Sequence, residues 1–537
     1  MSDIKDRVVD SIKTSCKDLL GDTDFDIANT IEYSEGQFGD FALNVAFRLS
    51  KNLKKSPTNI ASDIASLLNK SDMIEKCQVA GNGFVNITLK RQIWTGYLNN
   101  LKANFIRSDK FKGKTTQIEF ISANPTGPLV LVNAWAGYFG DILGNILASQ
   151  GYKVTREYYY NDGGNQVVNL GKTIQHKLGK KFSKKEQEEF YKGKYVDELA
   201  KKISLELGND QKVIDANFYD IGKKATEILF ESHVKPELTQ LKIEFDSFFP
   251  ESKLNNNKTL KRLEKLGAVK EYDNAIWLDG KKVGLEDDQV LVRSYDKGET
   301  YFLKDISYQL DKLENRKINQ AIIILGPDHH GQAKRLIKTM EFLGFSNLHI
   351  MWTQTVRLIK GGKEFKMSKR AGNIILIEDF LSEIPSDVAR FFFALRDINS
   401  HMDFDIDLAK KQSKNNPIYY LMYSYVRANS IIREAKKARL TKSSVINHEL
   451  NEKELGLIKE ISKIRDSVVK ISTNYRVHNL LTQAIELARC FHDYYESETI
   501  IKLPKQEASS KLALIDKYIM VNEEIFKLIG ISPMEKM

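Results

Sequence analysis

Thr116-Gln117-Ile118-Glu119-Phe120-Ile121-Ser122-Ala123-Asn124-Pro125-Thr126-Gly127-Pro128-Leu129 is the stretch that decides the fold. Its first six residues read as a buried strand. The Asn124-Pro125 and Gly127-Pro128 pairs then end it, because proline has no N–H for a ladder and restricts the residue before it. Ala134 to Leu147 follows with a helical pattern that stops at Gly151, and Tyr152 to Tyr159 reads as the next strand. Strand, helix, strand is the unit from which parallel sheets are built. Ala321-Ile322-Ile323-Ile324-Leu325 is apolar throughout, as a central parallel strand would be, and Val290-Leu291-Val292 is a further strand-like run.

Outward from that core the chain divides. Residues 1–112 read as a small α/β module. Ser2 to Leu20 has helical spacing, Phe41 to Ala46 and Ile60 to Leu68 read as two more helices, and Gly83 to Leu89 alternates like a strand. Residues 113–400 form the sheet domain, interrupted at about 172–260 by a Lys/Glu-rich helical insertion. Residues 401–537 are expected to form a helical domain, helical to the end from about residue 415. Their apolar positions recur at three and four residues, and proline is scarce before Pro504.

A chain of 537 residues is too long for one core and predicts about three or four domains. Hydrophobic residues at 42% and charged residues of both signs at 28% exclude a disordered chain. The net charge of +10 favours a polyanionic partner, although a lysine-rich solvated surface gives the same balance. The cysteines Cys16, Cys77 and Cys490 form no CxxC pair, so neither a disulfide framework nor a thiolate zinc site is expected. Charges follow directly on Met1-Ser2-Asp3, and no apolar run reaches the roughly 18 residues a bilayer demands. A cytoplasmic protein without a membrane segment is therefore expected.

Four stretches carry chemistry. The turn after the first sheet strand, with Pro125, Thr126, Gly127 and Pro128, lies where ligands bind parallel sheets. The helix starting near Asn133 would aim its free N–H groups there, which suits phosphate. A proline/glycine strand exit is also an ordinary turn. The second stretch is Gly361-Gly362-Lys363-Glu364-Phe365-Lys366-Met367-Ser368-Lys369-Arg370-Ala371-Gly372-Asn373. Glycines on both sides make it a loop able to move, and its cations could neutralise a departing pyrophosphate. Together these two point to an enzyme that splits ATP between its α and β phosphates.

The third stretch, Tyr301-Phe302-Leu303-Lys304-Asp305, would place Tyr301 and Asp305 on one helix face. A carboxylate beside a phenol could hold a cationic ligand, or the stretch could be a plain first helical turn. The fourth, Gly326-Pro327-Asp328-His329-His330-Gly331, follows the apolar strand. Adjacent histidines point in different directions and no third ligand is near, so a substrate or nucleotide pocket is expected there and no metal site.

These pieces resemble the class I aminoacyl-tRNA synthetases, and most closely the arginyl-tRNA synthetases, over nearly the whole chain. The N-terminal strings Gly39-Asp40-Phe41-Ala42-Leu43-Asn44 and Ala80-Gly81-Asn82-Gly83-Phe84-Val85-Asn86 look like that family's extra domain, which reads the tRNA elbow. Glu119 to Leu129 looks like the approach to the class signature, and Asn161-Asp162-Gly163-Gly164-Asn165-Gln166 matches a family element. Asn416-Pro417-Ile418-Tyr419-Tyr420 looks like the opening of the anticodon bundle, and Gly530 to Met537 like the family's C-terminus. The resemblance implies a multidomain α/β chain: an N-terminal α/β module, a Rossmann-like parallel-sheet catalytic domain with a helical insertion, and a C-terminal all-α anticodon-binding bundle.

It also implies roles. Ser122, Ala123 and Asn124, with Glu119 nearby, would touch the arginine backbone. Tyr301 and Asp305 would hold the guanidinium, with His329 as a further contact. Lys366, Met367, Ser368 and Lys369 belong to the ATP loop, and Gly326 to the nucleotide pocket. Tyr419, Tyr420 and Tyr423 are candidates to stack unpaired tRNA bases, although a tyrosine stripe at helical spacing is also core. The substrates would be arginine, ATP with Mg²⁺ and tRNA(Arg), handled by a monomer.

One departure stands out. Where the family carries a His-hydrophobic-Gly-His string, this chain reads Val130-Leu131-Val132-Asn133. Val130 cannot donate to a phosphate. Asn133 can, through its amide, and it borders both substrates. Val132 puts a branched side chain where glycine lets adenine lie flat, and Trp135 stands where relatives often carry arginine. Losing one transition-state donor costs roughly two to three powers of ten in rate. Backbone N–H groups or His330 are expected to fill the gap. Two rival readings remain: a tRNA-binding paralogue that kept the fold after losing its ATP site, and a ligase for another amino acid, against which Tyr301 and Asp305 argue.

Overall fold

The computed structural model describes residues 3–21, 26–34, 36–294, 298–326, 330–365 and 375–534. The chain forms two compact units, one of residues 109–411 and one that joins residues 1–108 to residues 412–537.

The larger unit is built on a parallel sheet. Its strands are β1 (Thr115–Glu119), β2 (Lys153–Tyr160), β3 (Ser247–Pro250), β4 (Gln320–Leu325) and β5 (Leu348–Trp352). They lie side by side in the order β5-β4-β1-β2-β3, and every neighbouring pair is parallel. This is the doubly wound order, with its switch point between β1 and β4, where such sheets bind ligands. The helix α1 (Leu131–Ser149) crosses from β1 to β2. It lies unusually close to the sheet because glycines face it. A Cβ on Gly140 would stand 2.4 Å from the Phe120 ring, and one on Gly137 would stand 2.6 Å from Ile243. Side chains there would push the helix off the strand exit.

The expected helical insertion at 172–260 is helical as far as Gln240. Its later part is different: Ser247–Pro250 is the edge strand β3, paired with Glu157 to Tyr160. Four residues with adjacent phenylalanines give too short a run for periodicity to separate strand from loop. Val290-Leu291-Val292 is also a strand, but it belongs to a small antiparallel sheet with Ala275–Leu278 and Val269–Tyr272. Residues Met402–Asp405, beyond the expected edge of this domain at 400, pair with Val356–Lys360 and belong to the same unit.

In the smaller unit a four-stranded antiparallel sheet orders as Ile31–Tyr33, Phe41–Leu43, Phe84–Leu89, Ile74–Ala80. The helix expected over 41–46 is corrected: Phe41–Leu43 is a strand, and its helix begins only at Val45. Phe41 and Leu43 are buried with Ala42 less so, an alternation that three residues are too few to reveal. The C-terminal segment is helical as expected, with long helices Pro417–Lys437, Glu452–Asn474, His478–Ser497 and Lys505–Ile529. The two segments of this unit are tied by buried polar groups. The Asp40 carboxylate pairs with Lys459 and accepts from the Leu89 amide and the Trp94 indole, and the Tyr33 hydroxyl donates to the Ser462 carbonyl.

Candidate active site

At the carboxyl ends of β1, β2 and β4 lies a cavity of about 310 Å³, within the range of small-molecule sites. The chain turns sharply into it after β1. Ile121 and Ser122 both take positive φ, at 64° and 41°, and the Ser122 amide donates to the Phe120 carbonyl at 2.8 Å. A β-branched residue in that region is strained by about 1–3 kcal/mol and persists only where its surroundings fix it. Here the Tyr159 amide donates to Ser122 Oγ at 3.1 Å, the Tyr158 hydroxyl to the Ala123 carbonyl at 2.8 Å, and the Asn161 amide to Asn124 Oδ1 at 3.2 Å. The Asn124 amide in turn donates to Gln166 at 2.7 Å. The turn brings Glu119, Ser122 and Asn124 to the cavity wall.

The opposite wall is the helix α2 (Tyr301–Leu310), capped by Thr300. Tyr301 and Asp305 both line the cavity, one turn apart, and Tyr301 is 51% exposed at its mouth. Asp305 accepts from the side-chain amide of Gln332, on the helix His330–Phe342. Burial pushes the Asp305 carboxyl up to about 7; Gln332 opposes that shift, and the charges of Glu119 and Glu251 add to it.

Sequence reading missed several wall residues. Glu251 lines the cavity just past β3, takes Lys304 at 2.6 Å and accepts from the Tyr159 hydroxyl at 2.9 Å. Tyr308 stacks on Tyr159 at 4.4 Å and donates to Glu157 at 2.6 Å. Behind the wall, the wholly buried Lys312 was missed as well; it pairs with Glu119, which was expected at the site, at 2.5 Å. The signal for Glu251 lay in the Phe-Phe-Pro-Glu string, an acid at the end of a short aromatic strand. The others needed the register of the sheet.

Beside this cavity runs the altered signature. Val130, Val132 and Asn133 are half-buried, and Leu131 is buried. The helix start was expected to offer free N–H groups. Three are already used: Val130 N–H donates to Asn133 Oδ1 at 2.9 Å, Leu131 N–H to the Ile375 carbonyl at 2.9 Å, and Asn133 N–H to the Val130 carbonyl at 2.8 Å. The Ile377 amide closes on the Leu129 carbonyl at 3.2 Å, so the chain following residues 366–374 is stitched to the signature. Asn133 caps the helix and, with Ala123, is not part of the cavity wall. The Thr126 carbonyl accepts from Tyr195, Gly127 lies against that same hydroxyl, and Pro128 and Gly326 are half-buried. Pro125 borders a separate small cavity with Tyr160 and Phe230. Trp135 is fully buried against Phe393, and its indole N–H has no partner among the described residues. Lys366, Met367, Ser368, Lys369 and His329 lie outside the described residues, as does the side chain of His330.

In the smaller unit Tyr419, Tyr420 and Tyr423 are half-buried on one helix. Tyr419 and Tyr423 stack at 6.2 Å, Tyr420 and Tyr423 flank His492 at 4.4 and 5.6 Å, and Arg427 donates to the Tyr423 hydroxyl.

The model of the family described as "tRNA synthetases class I (R), catalytic domain" matches residues 100–395, and the one described as "Arginyl tRNA synthetase N terminal domain" matches residues 4–89. The "DALR anticodon binding domain" matches residues 421–537.

The chain belongs to the arginyl-tRNA synthetase family.

The arginine–tRNA ligase of Carboxydothermus hydrogenoformans is 33% identical over 94% of this chain and 93% of its own. That of a Listeria monocytogenes strain is 34% identical over 93% and 92%. Among solved structures, the arginyl-tRNA synthetase of Thermus thermophilus overlays with a TM-score of 0.77 at 18% identity, covering 99% of this chain and all of that one, which is a likeness of fold. The class I catalytic match of this family spans the cavity, the turn before it and the altered signature together.

Proposed function

We infer that the chain is an arginine–tRNA ligase, using ATP to activate arginine and passing it to tRNA. The observation that carries this is Asp305. It is a carboxylate at the carboxyl end of a parallel sheet, in a cavity of small-molecule size, and among the described residues it has no ion pair of its own. A guanidinium supplies the missing charge and a planar fork of donors. A side chain lacking them leaves the acid buried and unpaired, which is what makes such a site selective.

In the first step an arginine carboxylate oxygen bonds to the α-phosphorus of ATP while the bond to the β-phosphate oxygen breaks and pyrophosphate leaves. In the second, a ribose hydroxyl at the tRNA 3′ end attacks the adenylate's carbonyl and AMP leaves. Neither step asks much acid–base work of the protein; positioning and charge do most of it. Asp305 and Tyr301 orient the side chain, with Glu119, Ser122 and Asn124 along its path from the turn. Lys366 and Lys369 would steady the pyrophosphate, and Asn133 would offer its amide N–H to the phosphates while its oxygen caps the helix. Mg²⁺ enters on the nucleotide and keeps several waters, as part of the substrate. Tyr419, Tyr420 and Tyr423 would present faces to unpaired bases of tRNA(Arg). The chain works as a monomer in the cytoplasm; none of its described helices is long and apolar enough to cross a membrane.

The test is ATP–pyrophosphate exchange dependent on arginine, with matching tRNA present. Clear exchange is expected. No exchange with retained tRNA binding would assign the chain to the impaired paralogue instead.

A further inference from the structure

The cavity holds more acid than one guanidinium needs. Glu119, Glu251 and Asp305 all line it. Two of them are neutralised from inside the protein: Glu119 by Lys312 at 2.5 Å and Glu251 by Lys304 at 2.6 Å. Among the described residues, three acids against two tethered cations leave one negative charge, and it falls on Asp305, whose partner is the neutral amide of Gln332.

The two lysines are not alike. The Lys304 side chain is 19% exposed at the rim, where it also sits 5.6 Å from the Tyr301 ring. The Lys312 side chain is 0% exposed, its ammonium 3.9 Å from the centre of the Tyr308 ring. It reaches the sheet because α2 gives way at its end to a π-helical turn, Asp311–Asn315. Such turns are rare and recur at functional sites. The residue after it, Arg316, takes both oxygens of Glu157 at 2.7 and 3.0 Å. Burial holds the Lys312 ammonium below the usual lysine pKa, against the pull of Glu119. A wholly buried ammonium is costly unless it answers a particular charge. Glu119 is that charge, and it is also a cavity residue.

We propose that Lys312 is a positioning and specificity residue of the arginine site: it turns and fixes Glu119 by one oxygen and cancels its charge, so that the cavity takes a side chain bearing one positive charge. This rests on the arginine–tRNA ligase reading. Lys312 touches no substrate and acts through Glu119. A bland ion pair that only pins the π-helical turn to the sheet would give the same distance, so the test must separate the two.

The experiment is arginine-dependent ATP–pyrophosphate exchange, with matching tRNA present, between pH 6 and 9 on the wild type, Lys312→Met, Glu119→Gln and the double variant, with KM for arginine and for ATP measured separately. Lys312→Met is expected to raise the arginine KM roughly 30-fold or more, with the ATP KM within about twofold. A buried carboxylate stripped of its counter-charge takes up protons more readily. In Lys312→Met the arginine KM should therefore climb more steeply toward low pH than in the wild type. Besides Lys312, the groups that face Glu119 are Tyr308, Tyr159 and Asp305, with Glu157 and Arg316 behind Lys312, and none of these others is altered in the variants. The neutral pair in the double variant keeps the site's volume and guards against loss of folding in Lys312→Met. It is expected to lose no more than the worse single variant and to show no added steepness.

An unchanged arginine KM in Lys312→Met, equal losses for arginine and ATP, or a double variant whose loss is the product of the two singles would overturn the proposal while leaving the enzyme reading intact. A wild type with no arginine-dependent exchange would overturn both.

Discussion

The two sides of the strand exit after β1 are built in opposite ways. On the side we assign to the amino acid, most wall residues are polar or charged, and the charged ones stand at the end of a strand or on a helix or helical turn. Glu119 ends β1, Tyr159 lies on β2, Tyr301 and Asp305 on α2, and Gln332 on the next helix, and their partners are fixed at hydrogen-bond distance. On the side we assign to the nucleotide, the chain offers Val130, Leu131, Val132 and one amide, and the first backbone donors are spent on Asn133 and on Ile375. One side carries its selectivity in a preformed lattice of charge. The other must draw on groups brought from elsewhere. Selectivity needs every member of a buried polar network, since a missing one leaves a neighbour unpaired. Phosphate needs positive charge from any direction.

The sharpest way to break that contrast is Asp305→Ala. Removing one partner of a buried, hydrogen-bonded charge pair costs about 2–5 kcal/mol, so the arginine KM should rise by roughly two to three powers of ten, with the ATP KM within about twofold in the same exchange assay. Equal losses on both substrates would mean that the two sides are not separate sites. The matching change on the other side is Asn133→Asp. Aspartate keeps the oxygen that accepts the Val130 amide and suits a helix start, so thermal stability should hold. It loses the amide N–H. If that donor serves the phosphates, kcat should fall by about two powers of ten with the arginine KM unchanged. A normal kcat would show that the altered signature has handed this role to other groups.

How much of this was legible in the sequence follows the range of the interactions. The strand Thr115–Glu119, its proline exit, the helix behind it and the apolar strand Gln320–Leu325 are local patterns, and they suffice for a parallel sheet. Tyr301 and Asp305 could be placed on one helix face by counting residues. The lysines could not be assigned. Lys312 meets Glu119 across 193 positions of sequence, and it does so only because a π-helical turn shifts the helix phase, which no periodicity announces. Lys304 meets Glu251 across 53 positions, and nothing local points the one at the other. The stretch 41–46 misled for a related reason: three strand residues run straight into a helix at Val45, and their apolar string fits either period. That the first and last segments of the chain make one compact unit is written in pairs such as Asp40 with Lys459, which are visible only after folding.

The smallest effect concerns pH and tests the charge count from the arginine side alone. With the cavity empty the Asp305 carboxyl sits at about 7, raised first by burial and further by Glu119 and Glu251. Below that pH it is protonated and neutral, whereas a guanidinium keeps its charge throughout. Arginine therefore binds to the ionised form, and binding expels the proton. Well above pH 7 the arginine KM should be flat; below it the KM should rise, approaching tenfold per pH unit. Asp305→Asn should abolish the slope along with most of the affinity. A slope that survives in Asp305→Asn would have to come from another acid at the wall. The net charge that arginine meets would then be set by two acids instead of one, and the distinction drawn between the buried lysine and the rim lysine would have to be redrawn around that second acid.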